Sequence, residues 1–173
     1  FKNGVNELKE TYYENGQLQQ RMTYKNGGYD GISEIYYADG KLKEKSNYKN
    51  GKREGLYEEY RDDGKLKEKS NYKNGEQEGL YEEYHWNGEL EKRYTIKDGK
   101  KDGSYESYFN NGQLKEKSTY SDGKYEGPYV EYIYDGTLSG KYTYKDGKPE
   151  GPFMDLQSQY SNRSDYLVER GTY

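Results

Sequence analysis

Residues 55–78 read GLYEEYRDDGKLKEKSNYKNGEQE, and closely similar stretches follow one another along the chain at a constant step of 24 residues. Eighteen of the 22 glycines fall on three series with this step. Because glycine adopts positive φ without a steric penalty, the Asp-Gly and Asn-Gly pairs indicate tight turns. The segments between turns are about six residues long, which is typical of strands and too short for helices. Each repeat is therefore predicted to be a β-hairpin.

Three columns of the repeat are interpreted as structural. They hold the turn glycine, the leucine two residues after it and the tyrosine four residues before it. The central members are Gly40, Gly64, Gly88 and Gly112; Leu42, Leu66, Leu90 and Leu114; and Tyr36, Tyr60, Tyr84 and Tyr108.

The composition excludes a thick globular core. Leu, Ile, Val and Phe together supply 21 of the 173 residues, whereas 25 residues are Tyr. So low a content of these four residues is typical of disordered chains. However, the formal net charge is only −4, and amphipathic rings can cover a thin structure. We therefore predict an all-β fold, an elongated single-layer antiparallel sheet of tandem 24-residue hairpins.

The turn between the two strands of a hairpin sets the register. A two-residue turn would place glutamates opposite each other, whereas a three-residue turn at residues 62–64 pairs opposite charges next to the turn. We predict the three-residue turn. The resulting opposite pairs are Tyr60–Leu66, Glu59–Lys67 and Glu58–Glu68.

This register divides the side chains between two faces. One face carries Leu56, Tyr60, Leu66 and Tyr72, and we expect it to supply the core. The opposite face carries Tyr57 among paired charges, so this ring has less to pack against. The residues predicted to bind a partner form its column and are Tyr57, Tyr81, Tyr105, Tyr129 and Phe153.

The repeat also sets the domain boundaries. The second strand of each hairpin is expected to pair with the first strand of the next one through a loop such as residues 74–79. The array is assigned to residues 1–157, and residues 158–173, which leave the pattern, to a C-terminal capping segment that protects the sheet edge.

The residue inventory argues against an enzyme. The chain has no Cys and one His, His85, which stands at a strand end where other repeats have Tyr, Arg, Phe or Ile. No catalytic residues, metal ligands or cofactor are predicted. The glycine-rich loops lack a phosphate-binding signature. The negative net charge disfavours nucleic acid and anionic membranes, and no apolar run is long enough to cross a bilayer.

The signature Gly-x-Tyr-x-x-Tyr-x-x-Asn/Asp-Gly-x-Leu, followed by Tyr-Lys-Asn/Asp-Gly-Lys-x-x-Gly, resembles the MORN repeat in its bacterial variant form. The resemblance covers about residues 8–157. It implies an elongated array of β-hairpins with a groove on one side, and a role in scaffolding, protein binding or lipid binding. Some bacterial members of the family carry an antitoxin label.

The sequence and the family resemblance are compatible with three classes of function. The leading prediction is a non-enzymatic scaffold that presents a tyrosine-lined surface to a protein or glycan. The alternatives are an antitoxin or immunity-like protein that binds a toxin, and association with a lipid surface through the repeats. The absence of cysteine slightly favours an exported or cell-surface protein over a cytoplasmic one.

Solution scattering tests the extended shape. Twelve strands spaced about 4.8 Å apart would form a ribbon on the order of 60 Å long. We therefore expect small-angle X-ray scattering to give a radius of gyration above the value of about 16 Å for a compact chain of this length. A compact, spherical scattering profile would contradict the ribbon.

Overall fold

The computed structural model describes residues 6–152, 154 and 155. The chain divides into an N-terminal unit, Phe1–Gly88, and a C-terminal unit, Glu89–Tyr173. The strands of the N-terminal unit are β1 (Asn6–Tyr12), β2 (Leu18–Lys25), β3 (Gly28–Tyr36), β4 (Leu42–Lys49), β5 (Lys52–Tyr60), β6 (Leu66–Lys73) and β7 (Glu76–Tyr84). Those of the C-terminal unit are β8 (Leu90–Lys97), β9 (Lys100–Tyr108), β10 (Leu114–Ser121), β11 (Lys124–Tyr132), β12 (Leu138–Lys145), β13 (Lys148–Pro149) and β14 (Met154–Asp155).

Within each unit, consecutive strands from β1 to β7 and from β8 to β12 pair antiparallel. Strand β12 also pairs with the short strands β13 and β14. No helix occurs among the described residues, and the substantial contacts between strands join hydrogen-bonded neighbours. The prediction of an all-β antiparallel sheet of tandem hairpins is therefore confirmed. The predicted capping segment, residues 158–173, and Phe153 lie outside the described residues.

Consecutive hairpins are joined by two-residue turns. Between β6 and β7, Asn74 has φ 53° and Gly75 has φ 91°. Positive φ at both positions is characteristic of a type I′ turn, whose twist matches that of the flanking strands. The predicted loop at residues 74–79 is therefore too long: β7 already begins at Glu76, and Gly79 lies within the strand.

Inside each hairpin the strands are joined by the predicted three-residue turn. At residues 62–64, the amide of Arg61 donates to the carbonyl of Lys65, and the amide of Gly64 donates to the carbonyl of Arg61, both at 2.9 Å. The Asp63 carboxylate accepts the Lys65 amide at 2.9 Å. This side-chain contact closes the turn in the way that favours Asp and Asn there.

The register departs from the prediction one residue beyond this turn. Tyr60 lies opposite Leu66 as expected, but Glu59 lies opposite Glu68, because Lys67 is the extra residue of a β-bulge. The predicted pairing of Glu59 with Lys67 is therefore wrong as a register, although the Lys67 ammonium still contacts the Glu59 carboxylate at 2.9 Å.

The bulge changes which side chains share a face. After Lys67, the rest of β6 is shifted by one position, so Tyr72 lies on the side of Tyr57 and not with Leu66. The predicted grouping of Tyr72 with Leu66 is wrong for this reason. We call the side with the small residues the serine face; in these hairpins it carries Ser46, Tyr57, Ser70 and Tyr72. The other side, the ladder face, carries Leu56, Glu58, Tyr60, Leu66 and Lys69.

The core lies on the serine face. Ser46 and Ser70 are directly opposite Tyr57 on the two neighbouring strands and are 0% and 1% exposed. Tyr57 is itself only 8% exposed, because small serines on both sides leave room for its ring. Leu56 on the ladder face is 37% exposed. The prediction that the Leu56 face supplies the core is therefore wrong.

Gly64 and Gly28 allow the effect of backbone conformation on stability to be measured apart from the effect of side-chain packing. All eighteen glycines on the three series have positive φ, Gly64 among them at 87°, whereas Gly28 does not. A methyl group at Gly64 would meet nothing within 4 Å, and at Gly28 only the Lys25 carbonyl at 3.9 Å. We expect Gly64→Ala to lower the free energy of unfolding by roughly 1–2 kcal/mol in urea denaturation, and Gly28→Ala to leave it unchanged or raise it slightly. Equal losses for both variants would contradict the role of positive φ.

Candidate functional site

The tyrosines predicted to contact a partner line the serine face. Tyr57 and Tyr81 belong to the N-terminal unit, and Tyr105 and Tyr129 to the C-terminal unit. Tyr57 is buried and the other three are half-buried. The prediction that this column has little to pack against is wrong, because the bulge brings a second tyrosine of each hairpin, such as Tyr72, to the same side. Whether these rings contact a partner stays a prediction.

An arginine is held among rings in the N-terminal unit. The Arg53 guanidinium lies 4.6 Å from the ring centroid of Tyr57 and 5.3 Å from that of Tyr72. The same group forms an ion pair with Glu44 at 3.1 Å. The two rings are 5.8 Å apart, and burial, reinforced by the Glu44 charge, raises the pKa of the Tyr57 hydroxyl. The cluster satisfies a half-buried cation by cation–π contacts and one carboxylate.

A lysine takes the corresponding place in the C-terminal unit. The Lys101 ammonium lies 4.6 Å from the ring centroid of Tyr94, 4.5 Å from that of Tyr105 and 5.0 Å from that of Tyr120. Burial among these rings lowers the pKa of Lys101. The serine face can therefore hold an ammonium group in a cage of three rings, and here the chain's own lysine fills that cage.

In the next hairpin, the ring of Tyr125 occupies the position that Lys101 holds in the hairpin before it. Tyr125 lies 4.5 Å from Tyr120, 5.4 Å from Tyr129 and 5.0 Å from Tyr144, measured between ring centroids. Its hydroxyl donates to Glu116 at 3.2 Å. Burial raises the pKa of the Tyr125 hydroxyl. This aromatic cluster is the C-terminal counterpart of the arginine cluster.

One column of this face, which we call the variable column, differs in chemical type between neighbouring repeats. It packs between the tyrosines of successive hairpins and holds an aromatic, a cationic or an amide side chain. Its members are Tyr29, Arg53, Gln77, Lys101 and Tyr125. Sequence reasoning missed it, although a lattice position that changes type in every repeat was the available signal.

Glutamates stand side by side on the serine face of the N-terminal unit. Arg53 and Lys67 neutralise two of them. Glu68 accepts a hydrogen bond from the Ser70 hydroxyl at 3.1 Å and forms no ion pair among the described residues. Burial raises the pKa of Glu68; the Ser70 hydroxyl opposes the rise and neighbouring carboxylates add to it. The row, from β4 to β7, is Glu44, Glu59, Glu68 and Glu83.

Charges alternate on the ladder face. Glu34, for example, lies between Arg21 at 3.8 Å and Lys45 at 3.5 Å. Burial disfavours the charge on Glu106, but hydrogen bonds from Tyr108, Lys117 and Arg93 lower its pKa to about 2. Opposite charges on adjacent strands stabilise one another, so this face is internally compensated. The ladder is Glu10, Arg21, Glu34, Lys45, Glu58, Lys69 and Glu82 in the N-terminal unit, and Arg93, Glu106 and Lys117 in the C-terminal unit.

The bulge changes the neighbours of Glu58 on the ladder face. The predicted register left Glu58 opposite Glu68, a like-charge pair, whereas the bulge places Glu58 opposite Lys69. Lys45 lies on its other side. The same shift brings Glu59 opposite Glu68, so a like-charge pair persists and charge alone does not select between the two registers.

Neither a metal site nor a membrane-spanning helix occurs among the described residues. Across residues 6–152, 154 and 155, no group of three or more His, Asp or Glu side chains is arranged to hold a metal ion. No helix in this described part of the chain is long and apolar enough to cross a membrane. His85 is half-buried at the end of β7.

The positive-φ turns, the constant repeat and the antiparallel pairing define a tandem β-hairpin repeat protein. The family model described as MORN repeat variant matches residues 8–26, 29–50, 53–74 and 101–122. The chain belongs to this family, as its signature indicated. Comparison with curated proteins gave no match.

Truncation at two adjacent positions tests which face holds the core. Tyr57 and Leu56 are neighbours in β5 that point to opposite faces and are 8% and 37% exposed. We expect Tyr57→Ala to lower the free energy of unfolding by about 3 kcal/mol, because it removes a buried ring. Leu56→Ala should cost about 1 kcal/mol or less. Urea denaturation measures both, and a larger loss for Leu56→Ala would assign the core to the ladder face.

Proposed function

We propose that this chain is a non-enzymatic binding module whose serine face holds a protein partner. The observation that carries the proposal is the electrostatic difference between the two faces. On the ladder face acidic and basic residues alternate, whereas on the serine face Glu68 lies directly between Glu59 and Glu83. A partner that brings Lys or Arg side chains would relieve this like-charge contact.

The rings of the same face suit a protein surface. Tyr81 and Tyr129 are half-buried, and their hydroxyls donate to Glu83 at 3.0 Å and to Glu131 at 3.1 Å. Rings that are already fixed lose little conformational entropy when a partner packs against them. Tyrosine also combines a large apolar area with a polar tip, which favours its use at interfaces.

Charge supports a protein partner over nucleic acid and anionic lipid. A nucleic-acid or lipid phosphate would approach the glutamate row of the serine face, on a chain whose net charge is already −4. Like charges in such a contact are unfavourable. Neutralisation of a toxin, expected from the family resemblance, is one form that binding of a basic protein would take.

Two isosteric substitutions separate the faces. Glu68→Gln removes one charge from the serine face, and Glu58→Gln removes one from the ladder face of the same hairpin. We would capture proteins on the immobilised intact chain, identify them by mass spectrometry and measure their affinities for the parent and both variants. Glu68→Gln should weaken binding roughly tenfold, as expected for a lost charge-assisted contact, and Glu58→Gln should change it less than about twofold.

The reverse order, with Glu58→Gln more damaging, would place the partner on the ladder face. Equal affinities for the parent and both variants would contradict recognition through the glutamate row. Thermal denaturation of each variant tests whether the fold is retained. For Glu58→Gln we expect little change, because an exposed ion pair contributes at most about 1 kcal/mol.

A further inference from the structure

A cavity of about 320 Å³ lies beside the β11–β12 hairpin of the C-terminal unit. Its walls include the rings of Phe109, Tyr129 and Tyr134 and the carboxylates of Glu116 and Glu131. Phe109 and Tyr134 pack edge to face with their centroids 5.3 Å apart. The volume is at the lower end of the range for small-ligand sites and suits a single inserted side chain.

A missing lysine opens part of this cavity. In the β5–β6 hairpin, Lys67 at the bulge forms an ion pair with Glu59 at 2.9 Å. Three repeats later, Ser139 occupies the bulge position and Glu131 the position of Glu59. The carboxylate of this pair is thus retained, while its ammonium partner is replaced by a short hydroxyl.

The next residue, Gly140, has no side chain, and neighbouring side chains take up the space beside it. Gly140 lies opposite Glu131, where the equivalent residues of earlier hairpins include Glu68 and Glu116. Its φ is outside the left-handed region, so the backbone there does not require glycine. A Cβ would lie 2.8 Å from Glu131 Oε1 and 2.6 Å from the Tyr142 ring. The glycine therefore provides space for these two side chains.

The cavity wall includes a cation, Lys115, but its ammonium lies over the Phe109 ring, 5.8 Å from the centroid, and forms no ion pair among the described residues. Glu116 and Glu131 are directly opposite each other on β10 and β11, and neither forms an ion pair within the described part of the chain. Glu116 accepts hydrogen bonds from the Ser118 hydroxyl at 2.8 Å and the Tyr125 hydroxyl at 3.2 Å, and Glu131 accepts one from the Tyr129 hydroxyl at 3.1 Å. Ser139 is 3% exposed, and its Oγ is buried without a hydrogen-bond partner among the described residues. A buried hydroxyl in this state gains free energy from any polar ligand that reaches it.

We propose that this cavity receives a lysine side chain of the protein partner. The ammonium replaces the lattice lysine beside Glu131 and Glu116, and the aliphatic stem packs against Phe109 and Tyr134. An ammonium group has three donors for the two carboxylates and the Ser139 hydroxyl, and rings beside it add cation–π attraction. This inference rests on the proposed function and specifies one contact of its partner.

The direct test uses Nα-acetyl-lysine N-methylamide as a probe of a partner lysine. Titration into the ¹⁵N-labelled chain should give saturable amide shifts around residues 129–140. Nα-acetyl-norleucine N-methylamide, which has an aliphatic stem and no ammonium, should bind at least roughly tenfold more weakly. Equal binding of the two probes would overturn the ammonium site, as would the absence of saturable shifts in this region.

A matched pair of variants tests the position. Ser139→Lys restores the lattice lysine, so it should fill the cavity and weaken probe binding at least roughly tenfold. Gln19→Lys places the same residue at the bulge position of the β1–β2 hairpin and should leave binding unchanged. Glu131→Gln, which keeps the shape, should also weaken binding. Unchanged affinity in both Ser139→Lys and Glu131→Gln would contradict the proposal.

Different experimental results would contradict the proposed function and the proposed lysine site. Probe binding at this cavity, combined with partner capture that is insensitive to Glu68→Gln, would contradict the wider role of the serine face and support the ammonium site. Partner capture that depends on Glu68, without any binding of the lysine probe, would contradict the ammonium site alone.

Discussion

One extra residue in the second strand of each hairpin decides which side chains share a face. In the β5–β6 hairpin this residue is Lys67, and the register shifts at the equivalent place in the neighbouring hairpins. Without the bulge, Tyr72 would stand beside Leu66. With it, Tyr57, Ser70 and Tyr72 gather on one side, where rings cover small serines, and Glu58 meets its basic neighbours on the other. Both the packing and the charge ladder depend on this single insertion.

The constant length of the repeat has a second physical cause, which is hydrogen bonding between hairpins. The amide of Asn74 in a type I′ turn donates to the Glu54 carboxylate at 2.8 Å, and the amide of Gly75 donates to the Arg53 carbonyl at 2.9 Å. Asp146 makes the same contact with Glu126 at 2.9 Å. Each turn is thus held by the first strand of the preceding hairpin. A residue added between these groups would break both bonds, which explains why the repeat continues without insertions although so little aliphatic surface is available.

Local chemistry could be predicted from the sequence, and side-chain orientation could not. Positive-φ glycines, Asp63 at the three-residue turn and the short strands follow from single residues and their neighbours, so the hairpin and the Tyr60–Leu66 pair were predictable. The orientation of Tyr72 depends on two opposing contributions to the free energy of folding. The bulge at Lys67 breaks a backbone hydrogen bond between the strands, and it gives the side chains of both faces a more favourable arrangement. That balance involves strands on either side, which one hairpin's sequence does not contain. The burial of Tyr57 was missed for the same reason, and with it the packing role of the variable column.

In a chain of near-identical units, the repeated residues are accounted for by the fold, and departures from the repeat carry the specific chemistry. The variable column changes from Arg53 to Lys101 without changing the hairpin around it, because in both hairpins the cation lies over the neighbouring tyrosine rings. The departures at Ser139 and Gly140 differ in kind. They remove a cation and a side chain from one face of one hairpin while Glu131 remains in place. The space beside Gly140 is occupied by the Glu131 carboxylate and the Tyr142 ring. The absence of a lysine at position 139 leaves a concave space in which the Glu131 carboxylate and the buried Ser139 hydroxyl have no cationic partner among the described residues, and such a space is filled at least cost by an ammonium group from outside the chain.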